Sequence, residues 1–498
     1  DGAAIDASQV EAALAGLDGL IEDAMARTGV PGAAVAVVYD DAVVYERAFG
    51  VREIGKPDPV APETVFQIGS VSKAISATTI AAVVGDGTTT WDATIASLDP
   101  GFALADPIAG SQVTVRDMFC HRSGLPAYAG DDLWTTFGYG RDETVRRLRF
   151  VPPAAPFRAA YAYENIGLSA AAYAVARAAG QPWEDLAEGR LLARLGMVDT
   201  SYRDADFLGR EDRATPHYRT RDGVWTPGEL SDLSATAAAG GVSSNVRDMS
   251  RWVRLQLAGG TFDGQQIVAS EPLLETHRPH ILAEEADPLT GLATFYGLAW
   301  EIEYDDRGRL LLRHGGDLSN GFRTGVYLLP AAGLGIVVLT NAWPNPLRDA
   351  IPRAFLDTVE LGAPTQDWVG EIETITTAVL SQMFAAPFPQ GAPPADATPA
   401  LPLDVYVGAY GNDLFGTVTV QEENGGLTMA LGANADASSL RHWDRDTFSY
   451  PLTGSAAAMY DQFGVVFTVG PDRQASALTL PALGGDTAAT CARAATDS

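Results

Sequence analysis

Strand-forming runs on both sides of a long Ala-rich helical stretch constrain this 498-residue chain more than any other feature. Apolar, β-branched segments at 33–38 and 42–45 flank Asp40-Asp41, a hairpin pattern. From 70 to 235 helical periodicity dominates, broken by loops near 106–111 and 150–156. Strand-like runs return at 299–302, 310–313, 324–329 and 335–340. Two distant groups of strands around a helical middle predict one sheet built from both stretches, with the helices inserted between them, an α+β fold. Ahead of the first strand, Ser8-Gln9-Val10-Glu11 has the spacing of a capping box. Val10, Leu14, Leu17, Ile21 and Met25 follow on one helical face, with Gly29 as the stop. A further amphipathic helix is expected over 365–383.

Residues 385–402 hold Pro387, Pro389, Pro393, Pro394, Pro399 and Pro402 among alanines and read as a linker. Beyond it, short strands at 416–421, 427–431, 464–469 and 475–480, with a turn at Asn424-Gly425-Gly426, have barrel-like spacing. The expected organisation is a main domain over 1–384, a linker over 385–402 and a small β-barrel over 403–498.

A formal charge of −29 argues against nucleic-acid partners, which need a basic face. No apolar run reaches the roughly 18 residues of a spanning helix. The chain opens at Asp1 with no cleavable apolar segment, the pattern of a mature, exported protein, so a periplasmic or secreted location is expected. The two cysteines, Cys120 and Cys491, exclude a disulfide-dense scaffold and a Cys-based zinc cage. They can pair with each other or stay as separate buried thiols, and their spacing does not choose.

Of 34 basic residues, 32 are Arg and two, Lys56 and Lys73, are Lys. An amine loses its proton when desolvated, whereas a guanidinium in a protein does not, so a retained Lys can mark chemistry. Lys56 lies in a Gly/Pro-rich turn. Lys73 closes Ser70-Val71-Ser72-Lys73 at the start of the helical run 74–84, one turn from the Ser70 hydroxyl. A serine is a poor nucleophile until a base takes its proton, and Lys73 is placed to do so. An amine of ordinary pKa near 10.4 has to fall by about 3 to act at neutral pH, which burial supplies. The bland alternative is a serine helix cap beside a solvated lysine.

Two more short patterns have chemical potential. In Tyr163-Glu164-Asn165 the phenol can shuttle a proton, an ammonium nearby favouring phenolate, and the amide can hold a substrate and the lysine. The alternative is a packed Tyr and a capping Asn. His314-Gly315-Gly316 ends a strand; the glycines allow a substrate backbone to approach, and His314 can add a hydrogen bond or relay. Alone, it is equally a satisfied polar residue.

Taken together and in this order, the three patterns resemble the serine β-lactamase and penicillin-binding-protein superfamily, most closely its class C-like branch of β-lactamases, D-amino-acid peptidases and esterases. Thr114-Val115-Arg116-Asp117 through His121-Arg122-Ser123-Gly124-Leu125, Ala239-Gly240-Gly241-Val242-Ser243-Ser244, Tyr296-Gly297-Leu298-Ala299-Trp300 and Val337-Val338-Leu339-Thr340-Asn341 fit as well. The resemblance spans about 8–385 and implies a transpeptidase-like domain, an antiparallel sheet flanked by helices. The C-terminal barrel is similar to the lipocalin-like module of some peptidases of the branch. By position, the resemblance implies that Ser70 is acylated, Lys73 and Tyr163 share the proton work, Asn165, His314, Gly315 and Gly316 hold the substrate, and the backbone N–H groups of Ser70 and Asp317 form the oxyanion hole. It implies no cofactor and no metal. β-Lactamases of this class carry Lys where this chain has His314, which points toward peptidases and some esterases instead.

Three decoys drop out. Gly50-Val51-Arg52-Glu53-Ile54-Gly55-Lys56-Pro57 mimics a phosphate-binding loop but ends in Pro. No G-x-S-x-G elbow surrounds a serine. His277 and His280 flank Pro279, which breaks the helix a zinc pair wants. The expected function is a serine hydrolase that acts through an acyl-enzyme on a small peptide or amide, D-residue substrates included. A carboxylesterase is the second reading; a β-lactamase and a binding protein on an inactive scaffold follow. Oligomeric state is not legible.

Overall fold

The computed structural model describes residues 5–304, 308–383, 386–434, 437–483 and 489–495. Asp1 and the expected boundary at 384/385 lie outside the described residues. The chain forms two compact units, one of Asp1–Ala129 with Pro152–Val379 and one of Gly130–Val151 with Leu380–Ser498.

In the larger unit, helix α1 (Ala7–Thr28) starts two residues earlier than the Ser8 box predicts. Asp6 is the cap, accepting from Ser8 and Gln9 N–H, while the Gln9 side chain returns to the Asp6 N–H. A carboxylate at that point also suits the positive helix end. Gly29, at φ 69°, closes the helix as expected. Strands β1 (Gly32–Tyr39) and β2 (Ala42–Gly50) form the hairpin, and Asp40 and Asp41 both adopt positive φ, as a tight hairpin turn requires.

After β3 (Phe66–Gln67) and helix α2 (Val71–Gly85), the helical insertion runs to β4 (Ser243–Ser244) and α3 (Val246–Leu257). Strands β5 (Ile281–Glu284), β6 (Thr294–Tyr296), β7 (Glu301–Tyr304), β8 (Leu310–Leu318), β9 (Phe322–Leu329) and β10 (Leu334–Thr340) then complete an antiparallel sheet in the order β2-β1-β10-β9-β8-β7-β6-β5. Both chain stretches thus meet at the β1–β10 pair, as the sequence pattern predicts. On one face Val35, Val37, Ile336 and Val338 pack against α1 and the helix Leu347–Leu361, which the sequence reading did not contain. The other face meets α3. Strands covered on both faces read as unbroken apolar runs, which is why β1 and β10 look so similar in sequence.

The smaller unit holds a closed barrel of eight strands in simple meander order, from Gly408–Asn412 to Ala489–Arg493. Tyr406, Tyr410, Val418, Met429, Phe448, Phe467 and Leu478 fill its core. It also takes in 130–151, a segment that the sequence reading assigned to the main domain. Tyr139 lies parallel to Phe137 and donates to the Phe415 carbonyl at 3.0 Å. Arg147 covers the Tyr139 ring at 4.2 Å and donates to the Asp413 and Leu414 carbonyls. Cys120 and Cys491 are free and buried, and burial pushes their thiols up to about 12 and about 11. Among the described residues no helix is long and apolar enough to cross a membrane.

Candidate active site

Ser70 occupies the cap position of α2, yet its side chain makes no capping bond. Gly69, in the left-handed region at φ 53°, turns the chain sharply from β3 into the helix. The helix is buried along most of its length, so Lys73, one turn on, has no exposed surface. Its Nζ donates to Asn165 Oδ1 at 2.7 Å and to the Ala239 carbonyl at 2.9 Å, and lies 3.0 Å from Ser70 Oγ. With two tetrahedral positions directed at carbonyl acceptors, another points at the serine. There an ammonium donates, and a neutral amine accepts the serine proton. Lys56, by contrast, is exposed and pairs with Glu53.

Tyr163 and Asn165 reach this centre from the entrance to the helix Asn165–Ala178, whose cap position is Glu164, so Asn165 is not a helix cap. The Tyr163 ring stands 4.5 Å from Lys73 Nζ, with Ser70 close enough to act on its hydroxyl. The expected phenolate is not what this environment favours. Burial raises the Tyr163 pKa well above 10 and outweighs the effect of Ser70, so Tyr163 is a phenol with a proton to give.

The segment carrying Tyr163 is clamped by the 121–128 loop, where Tyr128 N–H donates to the Tyr163 carbonyl at 2.7 Å and Glu164 N–H to His121 Nδ1 at 3.1 Å. Ser123 Oγ donates to Glu164 Oε1 at 2.5 Å, and Glu164 Oε2 is buried with no hydrogen-bond partner among the described residues. Burial pushes the Glu164 carboxyl up to about 8, so at neutral pH it is mostly protonated. His121 and Glu164 are supporting residues that the sequence reading quoted inside motifs without a role; their bond joins positions 43 residues apart and leaves no local signal.

On the opposite side stands β8. Past Arg313 it pairs with β9 alone among the described strands, leaving an open edge at 314–318. His314 is buried, its Nε2 2.9 Å from the Tyr296 hydroxyl, and burial, with the Lys73 charge adding, pushes its pKa down to about 3. It is a neutral imidazole.

The two glycines serve a purpose other than substrate approach. A Cβ on Gly316 would stand 2.0 Å from the Ile68 carbonyl oxygen, and one on Gly315 would meet the Arg348 guanidinium at 2.4 Å. Glycine at 316 therefore lets β8 press against the turn that carries Ser70, where Thr324 Oγ1 also donates to Ile68 O at 2.7 Å. The Asp317 N–H comes to 3.2 Å from where a Cβ on Gly69 would sit, beside the start of α2. The Asp317 carboxylate pairs with Arg348 and Arg323.

The residues to which the resemblance gives roles converge here: Ser70, Lys73 and Asn165 form one hydrogen-bonded cluster with the Tyr163 ring against it, and His314 through Asp317 line its far side. His277 and His280 have other partners, Gln256 and Glu275.

Comparison with known proteins agrees with this geometry. Residues 17–360 match the Beta-lactamase family, and 392–491 match a domain of unknown function, DUF3471. The unguisins hydrolase ungD′ of Aspergillus campestris is 25% identical over 432 residues, 80% of this chain and 76% of that protein. Penicillin-binding protein 4 of Amycolatopsis lactamdurans is 30% identical over 323 residues, 63% of this chain and 81% of its own. The octameric penicillin-binding protein homologue from Pyrococcus abyssi shares the fold at a TM-score of 0.64 and 19% identity, covering 96% of this chain and 99% of that one. With the match spanning most of the chain, this protein belongs to the beta-lactamase family of serine hydrolases.

Proposed function

We propose that this chain hydrolyses a peptide or amide bond, bonds to D-residues included, through an acyl-enzyme on Ser70. The observation that carries the reading is a buried amine, Lys73 Nζ, held 3.0 Å from Ser70 Oγ by two fixed carbonyl acceptors. In this reading neutral Lys73 takes the Ser70 proton as Oγ attacks the carbonyl carbon. The oxyanion is met by the Ser70 and Asp317 N–H groups, each worth about 3 kcal/mol in a dry site. Tyr163 then gives its phenolic proton to the leaving nitrogen and recovers one from the Lys73 ammonium. Water attacks the ester by the reverse route, releasing the acid and restoring Ser70.

Asn165 would hold the substrate amide beside its bond to Lys73. Neutral His314 supports peptidase over β-lactamase chemistry, since β8 then offers no cation at that position to a lactam carboxylate. The same absence favours the second reading, a carboxylesterase with unchanged machinery. Relatives named as a hydrolase of unguisins and as a penicillin-binding protein support a peptide-like substrate.

We also infer export to the periplasm or outside the cell, and assign the solidly packed barrel, lipocalin-like in strand order, a structural role. Parallel assays of a D-residue p-nitroanilide and a p-nitrophenyl ester test the reading. Both should be turned over, with a serine-directed phosphonate adduct on Ser70 by mass spectrometry. Ester turnover with amide at background would leave the esterase, and no adduct would leave a binding protein.

A further inference from the structure

Outside the catalytic cluster, the larger unit holds a cavity of about 560 Å³ whose lining includes Gln67, Asp204, Phe207, Leu208, Leu230 and Asp232. Gln67 lies in β3, three residues before Ser70, and its side chain is 2% exposed. Its Nε2 donates to the Ser231 carbonyl at 3.3 Å, which fixes the amide orientation. That leaves Oε1 of Gln67, a residue lining the cavity, buried with no hydrogen-bond partner among the described residues. Folded proteins seldom leave a buried acceptor so, unless something outside the chain satisfies it.

Around the same cavity, Asp204 and Asp232 are neighbours, each carboxyl acting on the other's proton. Each is anchored by a backbone donor, Leu233 N–H to Asp204 and Ser234 N–H to Asp232, both at 2.9 Å. Burial, then the neighbouring Asp232, pushes the Asp204 carboxyl up to about 7. The other charged groups lining the cavity are Glu184 and Arg203, and Arg203 is committed to Asp185 and Glu188. The polar wall is thus dominated by acceptors, a carbonyl oxygen and two carboxylates, beside an apolar wall of Phe207, Leu208 and Leu230. A ligand that fits brings donors and positive charge on a hydrocarbon body.

We propose that this cavity binds an organic ammonium, a primary amine on an aliphatic or aromatic stem, its N–H groups donated to Gln67 Oε1 and the Asp204–Asp232 pair. The proposal does not depend on the reading of Ser70. The amine comes either from a free small molecule or from an arm of whatever the enzyme hydrolyses, since Gln67 and Ser70 share one short turn.

The test is calorimetric titration of the full chain at pH 8 with benzylammonium, benzyl alcohol and benzoate. Saturable binding of benzylammonium is expected, with the neutral and anionic probes at least about tenfold weaker. Binding should weaken as pH falls through about 7, where the carboxyl pair retains a proton. Asp232→Asn, at an exposed position, and Gln67→Met should each weaken it by about fivefold or more. Competitive inhibition of ester turnover assigns the amine to the substrate; binding without inhibition assigns it to a free ligand, and either supports the site. Equal affinity for the three probes, or no saturation by about 20 mM, overturns it in the wild type alone, whatever the variants do.

Discussion

Gly316→Ala is the most informative single change, because its neighbour supplies the control. The added Cβ would lie 2.0 Å from Ile68 O and 2.5 Å from Thr324 Oγ1. Ordinary contact begins at 3.4 Å, so β8 and the turn before Ser70 have to part by about 1.4 Å. The Ile68 carbonyl belongs to backbone and cannot rotate aside. Parting them draws the Asp317 N–H away from Ser70, and a misplacement of about 1 Å costs on the order of 10²-fold in rate, or about 2.7 kcal/mol. Overpacking adds about 1–3 kcal/mol of lost stability. In Gly315→Ala the added Cβ meets the far end of the Arg348 side chain, so the cost falls on the Arg348 pairs with Asp317 and Asp349 and not on a backbone carbonyl, and less than about a tenfold loss is expected. The assay is kcat and KM on a p-nitrophenyl ester for both variants, with thermal unfolding alongside. The loss in Gly316→Ala should fall on kcat. Two variants within threefold of each other would refute the argument that the β8–Ile68 contact frames the site.

Other outcomes follow from the same geometry. Lys73→Met should fold, since its site is buried, but lose about 10²–10⁴-fold in ester turnover and in phosphonate labelling of Ser70, while Lys56→Arg should match the wild type. The Glu164 carboxyl, at about 8 when folded and 4.5 in a model compound, keeps its proton in the fold while the unfolded chain releases it. Stability should therefore fall as pH rises from about 5 to 8, and Glu164→Gln should lack that fall, with a difference of a few kcal/mol in urea unfolding. Tyr139→Ala should destabilise the smaller unit by about 3–5 kcal/mol, whereas Tyr139→Phe, which loses one hydrogen bond to the Phe415 carbonyl, should cost about 1 kcal/mol in the same assay.

Much of the architecture is legible residue by residue. The hairpin at Asp40-Asp41, the helix ending at Gly29 and the paired apolar strands β1 and β10 all follow from local pattern, because turns, caps and periodicity involve near neighbours. The misses are also physical. Asp6 displaced Ser8 as the cap since both are good caps and the chain entry decided between them. The helix Leu347–Leu361 contains Pro352, which reads as a breaker, and the 130–151 segment has no periodicity that reveals which unit receives it. Gly316 was read as making room for substrate, because nothing in the chain announces that Ile68 fills the space where its Cβ would stand.

A short span of residues sufficed to put a scarce lysine one helical turn from a serine, since an α-helix returns to the same face after three or four positions. Whether that lysine is buried, and what holds it, depended on Asn165 and Ala239, 92 and 166 positions away, and on a β9 contact, Thr324 to Ile68, across 256. Such partners carry no period and no spacing. They exist when the sheet and the helical insertion have closed around the amine, and packing of that kind is what distinguishes a reactive serine from a common tetrapeptide.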